Sequence, residues 1–306
     1  MTIAIIQDSP IINHKNDTIQ KTLEIIESAT SNGADLVVFG ETWLCGYPIW
    51  LDVCNNVALW DYEPVKTVWA EMYKSAIDAS SDDLKLIQKI AKEKGVWIVI
   101  GANEKISKGP GNGTLFNSIF TISGHGEIVN CHRKLMPTYT EKLVHGPGDG
   151  AGLKSIETQF GNLGSLICWE HWMPLTRQAM HEEAEDIHIA LWPFVKEMHQ
   201  ICARQYAFEG RCTVVSVGQI MHAFQLPSQL DLPPLLKPEK LIMNGGSSIY
   251  GPDGNILLAP VYDEQKIIYQ ELNLSRNTPE KMNLSVSGHY NRPDVFKLDI
   301  NKNRQY

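Results

Sequence analysis

Short apolar runs alternate along the whole 306-residue chain with segments of helical periodicity, and this alternation restricts the fold more than any other feature. Apolar runs of this length are typical of buried strands, and the amphipathic segments between them are typical of helices that cover a sheet. In the first half, strands are predicted over residues 2–7, 35–40, 96–102, 114–123 and 127–134, the last two flanking a Gly-His-Gly turn. Helices are predicted over residues 17–32 and 80–95, with glycine stop signals at Gly33 and Gly95.

The second half has a similar order of elements without any residue-level repeat. Strands are predicted over 163–168, 186–192 and 212–218, helices over 174–184 and 197–210, and hairpin-like segments over 245–260 and 265–274. The hydrophobic fraction is 43% and no shift in composition marks a linker, so a single domain over residues 1–306 is expected. The simplest architecture is of the α/β class, with two similar halves packed as two sheets and helices outside.

Charge and cysteine usage narrow the class of protein. The net charge is −8 and no Lys/Arg stripe is present, so no nucleic-acid partner is expected. The first ten residues lack a basic segment and no apolar stretch reaches membrane-spanning length, so neither a secretory signal nor a membrane partner is expected. The six cysteines form no C-x-x-C pair and no zinc-type spacing, which predicts a reducing, cytoplasmic compartment and no metal. No site for a nucleotide or organic cofactor is evident, so no cofactor is expected.

Two segments are too long to be ordinary connections. Residues 43–73 contain four of the eight tryptophans and three tyrosines, and residues 223–243 are broken repeatedly by proline. Long connections of this kind are often functional, so each is expected to form a lid, a pocket wall or a subunit contact.

Chemically distinctive side chains follow three of the predicted strands. Ligands of open α/β sheets bind beyond the carboxyl ends of the strands, so these positions are candidates for chemistry. Glu41 follows the strand at 35–40, Lys134 ends the strand that begins near Glu127, and Cys168 ends the run "LGSLIC".

Cys168 allows two interpretations. A free cysteine is most often a small buried hydrophobe. However, a strand that breaks sharply before a helix opened by Pro174 exposes its last side chain beside backbone N–H groups that can bind an anion. A working thiol also needs a base or a positive charge, because a pKa of ~8.5 leaves little thiolate at neutral pH. His171 and His289 could form a Cys–His dyad, but no spacing supports it, and each could equally be a hydrogen-bonded structural histidine.

Glu41 is an alternative base for the thiol. The aromatic residues that follow it in "FGETWLCGYP" would partly desolvate its carboxylate, and desolvation raises a carboxyl pKa toward the range of a general base. Lys134 alone would be interpreted as a solvated surface lysine. It gains significance only beside Glu41 and Cys168.

These three residues, in this order, resemble the Glu, Lys and Cys motifs of the nitrilase, or carbon–nitrogen hydrolase, superfamily. The motifs read "FGETWLCGYP", "HRKLMPTYTEK" and "GSLICWEHWMPL". Four further stretches resemble the nitrilase branch, namely "HGPGDGAGL", "ARQYAFEGRCTVV", "GGSSIYGPDG" and "GHYNRPDVFKL". The resemblance therefore extends over nearly the whole chain, and "CWEH" is similar to enzymes of the arylacetonitrilase type.

The resemblance implies a four-layer αββα sandwich and a catalytic triad of Glu41, Lys134 and Cys168. Glu141 matches a second glutamate that would help to hold the lysine and a water molecule. The implied reaction hydrolyses an organic nitrile to a carboxylic acid and ammonia through a thioimidate and a thioester on Cys168, without a cofactor. An amidase-type hydrolase, or an enzyme that stops at the amide, is the alternative. An inactive interaction module would require a damaged triad, and none is visible.

Aromatic residues near these motifs are expected to form the wall of the substrate pocket. The candidates are Trp169, Trp172, Trp192, His145 and Tyr47. They favour a small nitrile with an apolar or aromatic group, although core packing would explain some of them equally well. The chain ends soon after "RPDVFKLDI", without the tail that helps relatives assemble into spirals, so a homodimer is expected, with a higher homo-oligomer as the alternative.

Overall fold

Two β-sheets form the centre of the protein in a computed structural model that describes residues 1–306. The strands are, in chain order, β1 (Thr2–Gln7), β2 (Leu36–Phe39), β3 (Trp97–Lys105), β4 (Leu115–Ile122), β5 (Ile128–Arg133), β6 (Ile156–Thr158), β7 (Gly161–Ile167), β8 (Ile187–Leu191), β9 (Thr213–Val217), β10 (Ile220–His222), β11 (Leu241–Tyr250), β12 (Ile256–Tyr262) and β13 (Lys266–Glu271). The first sheet has the order β13–β1–β2–β3–β4–β5. The second has the order β10–β11–β9–β8–β7–β6, and β12 also pairs with β11. The strands that run parallel are β1, β2 and β3 in the first sheet and β7, β8 and β9 in the second.

Helices cover the outer faces of both sheets. The helices of the chain are α1 (Lys15–Ser31), α2 (Trp50–Val53), α3 (Glu63–Ser75), α4 (Lys85–Lys94), α5 (Pro174–Glu182), α6 (Glu197–Gly210) and α7 (Asn277–Glu280). Apolar residues of α1 and α4 pack on the first sheet, and those of α5 and α6 pack on the second. No helix combines the length and the apolar character that crossing a bilayer requires.

The alternation of side chains along β1 shows how the layers are built. Ile3 and Ile5 belong to a 31-residue apolar cluster that also contains β7, β8 and β9, so they face the second sheet. Ala4 and Ile6 belong to a different cluster with α1 and α4, so they face the helices. A strand that is buried on both faces must be apolar throughout, which explains why β1 is a continuous apolar run. The four-layer αββα sandwich is confirmed. The cluster shared by both sheets supports treating residues 1–306 as one domain, which we propose.

Two elements differ from the sequence-based prediction. The helix predicted over 80–95 begins only at Lys85. The residues before it form a turn instead, because the Asp78 carboxylate accepts the backbone N–H of Ser80 and the Asp83 carboxylate accepts the backbone N–H of Asp78. Gly95 does end this helix in the left-handed conformation. The last strand, β13, is expected to belong with the strands of the second half of the chain, but it does not join the second sheet. It pairs antiparallel with β1, so the final strand closes the edge of the first sheet.

The two long connections pack against each other. Residues 43–73 contain α2 and α3, and residues 223–243 have little regular structure. Their buried apolar side chains share a third cluster, and Asp231 accepts hydrogen bonds from the Asn55 N–H at 2.8 Å and from the Tyr62 hydroxyl at 2.8 Å. Together they form one cover at the carboxyl end of β2.

Close backbone packing fixes the position of Glu41 at that end. A Cβ atom on Gly101 of β3 would overlap the carbonyl oxygen of Gly40, and it would lie 2.5 Å from the amide nitrogen of Thr42 and 2.9 Å from the carbonyl carbon of Glu41. Only glycine permits this approach, because neither backbone can move without displacing the end of β2.

We expect the Gly101→Ala substitution to lower the free energy of unfolding by about 1–3 kcal/mol, because it overpacks the backbone on either side of Glu41. Urea unfolding followed by tryptophan fluorescence measures the change. Gly251→Ala is the matched control, since the nearest atom to its added methyl is a flexible Asp253 oxygen at 3.1 Å. Equal stability of the two variants would contradict this account of the close contact.

Candidate active site

The ammonium group of Lys134 lies between two buried carboxylates. It donates a hydrogen bond to Glu41 Oε1 at 3.1 Å and another to Glu141 Oε2 at 2.6 Å. All three side chains are almost completely removed from solvent. Lys134 directly follows β5, Glu41 follows β2 with one residue between, and Glu141 lies in a 3₁₀ turn that covers Tyr139–Leu143. The residue after β2 and the segment after β5, which lie 93 residues apart at Glu41 and Lys134, therefore converge on one buried ion cluster.

The two carboxylates of this cluster have opposite protonation preferences. Burial raises the pKa of Glu41 to about 7, opposed by the charge of Lys134 and reinforced by that of Glu141. Burial would also raise the pKa of Glu141, but the charge of Lys134 and the hydrogen bond from His145 outweigh this effect. They hold the pKa of Glu141 well below its usual range. The same two carboxylates outweigh the burial of Lys134 and raise the pKa of its ammonium. Glu41 is therefore the group that can exchange a proton near neutral pH.

His145 and the Thr138 backbone, rather than the shared contact with Asn117, account for the difference between the two carboxylates. The Asn117 amide donates to Glu41 Oε1 at 2.7 Å and to Glu141 Oε1 at 2.8 Å. Glu141 gains two further contacts, from His145 Nδ1 at 3.0 Å and from the Thr138 backbone N–H at 3.1 Å. Glu41 Oε2 is buried without a protein partner. One oxygen of Glu41 is therefore free to accept a proton, whereas Glu141 is surrounded by donors.

Cys168 occupies a strained turn directly after β7. Its φ is +51°, a left-handed conformation that is uncommon for a residue with a side chain, and it opens a 3₁₀ turn over Cys168–Trp172. The Trp169 backbone N–H lies close enough to the sulfur to favour its ionised form. Burial and the charge of Glu41 raise the thiol pKa well above its usual value, opposed by Lys134 and by the Trp169 N–H. The resting sulfur is thus a protonated thiol within electrostatic range of the ion cluster.

A single carboxylate, that of Glu170, connects the cysteine turn to the lysine segment. Glu170 Oε2 accepts the N–H of Ile167, the residue before Cys168, at 2.8 Å. Glu170 Oε1 accepts the N–H of Leu135, the residue after Lys134, at 2.8 Å. His132 Nε2 lies 2.9 Å and 3.0 Å from the two oxygens, and this side chain completes a fully buried pair. Glu170 therefore sets the spacing between β7 and β5.

The residues expected to form the pocket wall differ in how far they are exposed to solvent. Trp169 is 51% exposed, Trp172 is half-buried, and Trp192 is fully buried, and the three rings contact edge to face in this order. Tyr47 is buried, and burial together with the charges of Glu141, Glu41 and Cys168 raises its pKa. The second ring nitrogen of His145 faces Asn103 Oδ1 at 2.8 Å, so both nitrogens of His145 are engaged within the protein.

The two histidines of the alternative dyad have no contact with the thiol. His171 Nδ1 lies 2.7 Å from the carbonyl oxygen of Cys168, and its ring points under the turn toward His188. Burial and the neighbouring His188 lower the pKa of His171 to about 3. His289 is exposed on the surface. Neither histidine is therefore placed to take the proton of the Cys168 thiol.

Comparison with known proteins identifies the family. A family model described as carbon–nitrogen hydrolase matches residues 2–279. The chain belongs to the carbon–nitrogen hydrolase family. It lies in the nitrilase branch and is a hydrolase that acts on carbon–nitrogen bonds. A nitrilase of Pseudomonas syringae pv. syringae (strain B728a) is 32% identical over 318 aligned residues, which cover 99% of this chain and 90% of the relative.

Two more comparisons describe the range of similar proteins. An aliphatic nitrilase of Rhodococcus rhodochrous is 31% identical to this carbon–nitrogen hydrolase, with 97% of this chain and 78% of the relative covered. The crystal structure of a carbon–nitrogen hydrolase from Helicobacter pylori G27 superposes with a TM-score of 0.72 at 22% identity, and 96% of each chain is covered. The latter likeness shows a shared fold.

Sequence reasoning missed three residues of this site in the hydrolase. Asn117 interrupts the apolar run of β4, and that interruption was its only visible signal. Glu170 lies among the residues 169–172 that follow Cys168. The sequence predicts a pocket wall from the tryptophans there, but it gives no sign that Glu170 contacts Leu135. Gln219 donates to the carbonyl oxygen of Glu41 at 2.6 Å across 178 residues, and nothing local signals that contact.

We expect the Glu170→Gln substitution to lower the free energy of unfolding by about 1–3 kcal/mol and to slow ammonia release about 10- to 100-fold. An amide has one acceptor oxygen, so one of the two backbone N–H groups on Glu170 would face an N–H donor instead. Thermal unfolding and ammonia release measure the two effects. Glu157→Gln, on the exposed face of β6, is the control for removing a carboxylate. Wild-type ammonia release by Glu170→Gln would rule out the connecting role.

Proposed function

We propose that this hydrolase is a nitrilase that converts an organic nitrile and two water molecules to a carboxylic acid and ammonia, with a covalent intermediate on Cys168. The observation that carries the proposal is the buried cluster of Glu41, Lys134 and Glu141 beside a cysteine in a left-handed turn. Relatives named nitrilase, at 32% and 33% identity over most of the chain, support the nitrile as substrate.

The first half of the reaction forms a thioimidate. Glu41 takes the proton of the Cys168 thiol, and the sulfur adds to the nitrile carbon. Negative charge develops on the nitrile nitrogen, where Lys134 and the Trp169 N–H stabilise it. Glu41 then returns the proton to this nitrogen. Stabilisation of this kind is typically worth ~3–4 kcal/mol for each donor. Because Glu41 has a pKa of about 7, it accepts the thiol proton without becoming too weak an acid to return it.

The second half of the reaction releases the products. A water molecule adds to the thioimidate carbon, and the nitrogen leaves as ammonia after it takes up protons, so that a thioester remains. A second water molecule, activated by Glu41, attacks the thioester and releases the carboxylic acid and the free thiol. Glu141 stays ionised throughout and holds Lys134 in place. The sequence of steps requires no metal or cofactor.

The substrate class follows from the pocket candidates. Trp172, Trp192 and Tyr47 would surround a nitrile with apolar and aromatic surface, and Trp169 would border the entrance. These side chains support an arylacetonitrile-type substrate in which the ring contacts tryptophan. Aliphatic substrates remain the competing class, because three similar enzymes are named aliphatic nitrilase.

A panel of substrates tests the reaction. We expect ammonia and acid from phenylacetonitrile at a higher kcat/KM than from an aliphatic dinitrile or cyanide, and much slower release from the matching amides. Ammonia assay and chromatography of the acid measure this. Activity on amides alone would identify an amidase instead. Accumulation of amide from nitrile would identify the alternative product, which is favoured by a similar lupin enzyme named a bifunctional nitrilase/nitrile hydratase.

Two substitutions test the assignment of the nucleophile and the base. We expect Cys168→Ala to abolish turnover and Glu41→Gln to lower kcat at least ~1,000-fold, because neither variant can form the thiolate by proton transfer. His289→Gln is the control and should retain wild-type turnover. Near-normal turnover of Glu41→Gln with loss of activity in a histidine variant would instead establish a Cys–His dyad. Mass spectrometry of the quenched enzyme should detect the acyl group on Cys168 in the wild type only.

The pH dependence tests the role of Glu41. A general base must be ionised, and the folded-state pKa of Glu41 is about 7, so we expect log kcat/KM to fall with unit slope below about pH 6 and to level off above about pH 8. The hydrogen bond from Asn117 lowers the pKa of Glu41. Asn117→Ala should therefore move the acid limb to higher pH. A limb that is unchanged or moves to lower pH would contradict the assignment.

The assembly and location are also proposed. We propose a homodimer or higher homo-oligomer, supported by exposed apolar side chains on α5 and α6, namely Leu175, Met198, Ile201 and Phe208. Six unpaired cysteines support a reducing, cytoplasmic location. Light scattering at several protein concentrations determines the oligomeric state.

A further inference from the structure

A buried chain of hydrogen bonds runs from Glu185 to the backbone of Cys168, and the reaction above uses none of its side chains. Glu185 Oε1 lies 2.7 Å from His188 Nδ1. His188 Nε2 lies 2.9 Å from His171 Nε2, and His171 Nδ1 lies 2.7 Å from the Cys168 carbonyl oxygen. The other carboxyl oxygen, Glu185 Oε2, accepts the hydroxyl of Tyr206 at 2.6 Å. All of these side chains are buried.

The hydrogen bonds of this chain all point toward Cys168, so that each group donates to the next one along the chain. A carbonyl oxygen only accepts, so His171 Nδ1 carries a proton. A neutral His171 then has a bare Nε2, and His188 Nε2 must donate to it. His188 is also neutral, because burial lowers its pKa, so its Nδ1 is an acceptor and Glu185 donates to it as a carboxylic acid. Burial favours these neutral forms, because it raises the pKa of Glu185 to about 8 and lowers the pKa of both histidines.

The chain ends on the peptide group that faces the sulfur. The Cys168 carbonyl and the Trp169 N–H are opposite ends of one planar peptide unit. A hydrogen bond that fixes the carbonyl therefore fixes the direction of the N–H, which is near enough to the sulfur of Cys168 to lower the thiol pKa. A hydrogen bond to the carbonyl also polarises the peptide and strengthens its N–H as a donor.

We propose that His171 is a positioning residue, held by His188 and Glu185, that orients and polarises the Cys168–Trp169 peptide so that its N–H stabilises negative charge at the reacting atoms. The catalytic consequence of this role rests on the proposed nitrilase reaction. The effect on the Cys168 thiol does not, because it requires no substrate.

The His171 ring can be changed without removing the support of its backbone. Arg177 donates to the His171 carbonyl oxygen at 3.0 Å, and Cys202 donates to it at 3.3 Å. The ring itself stacks on Trp192 with centroids 4.8 Å apart. A phenylalanine at position 171 keeps this aromatic packing and deletes only the donor to Cys168 and the acceptor for His188.

The experiment compares His171→Phe with the wild-type enzyme by two measurements. We expect kcat on phenylacetonitrile to fall about 10- to 100-fold with little change in KM, which is below the loss expected for complete removal of an anion-binding donor. We also expect the pH midpoint for alkylation of Cys168 by iodoacetamide, followed by mass spectrometry, to rise by about one unit. A purely structural role would lower the thermal unfolding temperature and leave this midpoint unchanged.

His181→Phe is the matched control. His181 is a buried histidine that contacts the same Tyr206 ring, and both of its ring nitrogens lack hydrogen-bond partners, so it lies outside the chain. We expect wild-type kcat and alkylation midpoint for this variant. If His171→Phe does not fold, His188→Phe removes the donor one step earlier, and the same two shifts are expected at smaller size.

Glu185→Gln tests the direction of the chain. An amide can donate to His188 and accept from Tyr206, as a carboxylic acid does, so this variant should retain kcat within about threefold of the wild type. The proposal is overturned if His171→Phe has the wild-type kcat and alkylation midpoint, or if Glu185→Gln is as impaired as His171→Phe. An absence of nitrile hydrolysis in the wild type would instead overturn the proposed function, and the alkylation measurement would still decide the role of His171.

Discussion

The Lys134 ammonium, held between Glu41 and Glu141 without access to solvent, is the interaction on which the rest of the site depends. A buried cation is stable only when carboxylates and hydrogen bonds replace its hydration. Two carboxylates more than compensate one ammonium, so one of them must be easier to protonate. The environment decides which one. Glu141 receives donors on both oxygens, whereas one oxygen of Glu41 has none, and Glu41 therefore becomes the proton acceptor.

Backbone contacts, more than side-chain packing, set the distances within this site. Glu170 joins the segments that follow β5 and β7, Gly101 lets β3 approach the residue that follows β2, and Gln219 binds the carbonyl of Glu41. Each contact acts on the main chain next to a reactive residue rather than on the reactive side chain. In the proposed reaction, Glu41 and Cys168 can then exchange a proton beside Lys134 while their backbone anchors remain fixed.

The sequence predicts the layers and the strand ends of this protein well, because both depend on local periodicity. Glu41, Lys134 and Cys168 could be selected since each follows its own apolar run. Asn117 and Glu170 could not, because their importance depends on partners 76 and 35 residues away. The predicted start of α4 is too early, because Asp78, which lies outside the predicted helix, accepts the backbone N–H of Ser80, a residue that resembles a helix N-cap in the sequence. The sequence draws attention to His171 as a possible base, but its position beneath the cysteine turn depends on a contact with His188 in β8.

The pairing of β13 with β1 has a consequence for synthesis of the chain. β1 is made first and β13 is made after almost every other element, yet the two share six residue pairs. Until Lys266–Glu271 have emerged from the ribosome, β1 is an open edge of the first sheet, with backbone groups available to any other strand. Contacts between distant parts of a chain form slowly, so the first sheet is completed late. The segment that contains Cys168 is therefore synthesised before β13 can close the edge of the sheet that carries Glu41 and Lys134.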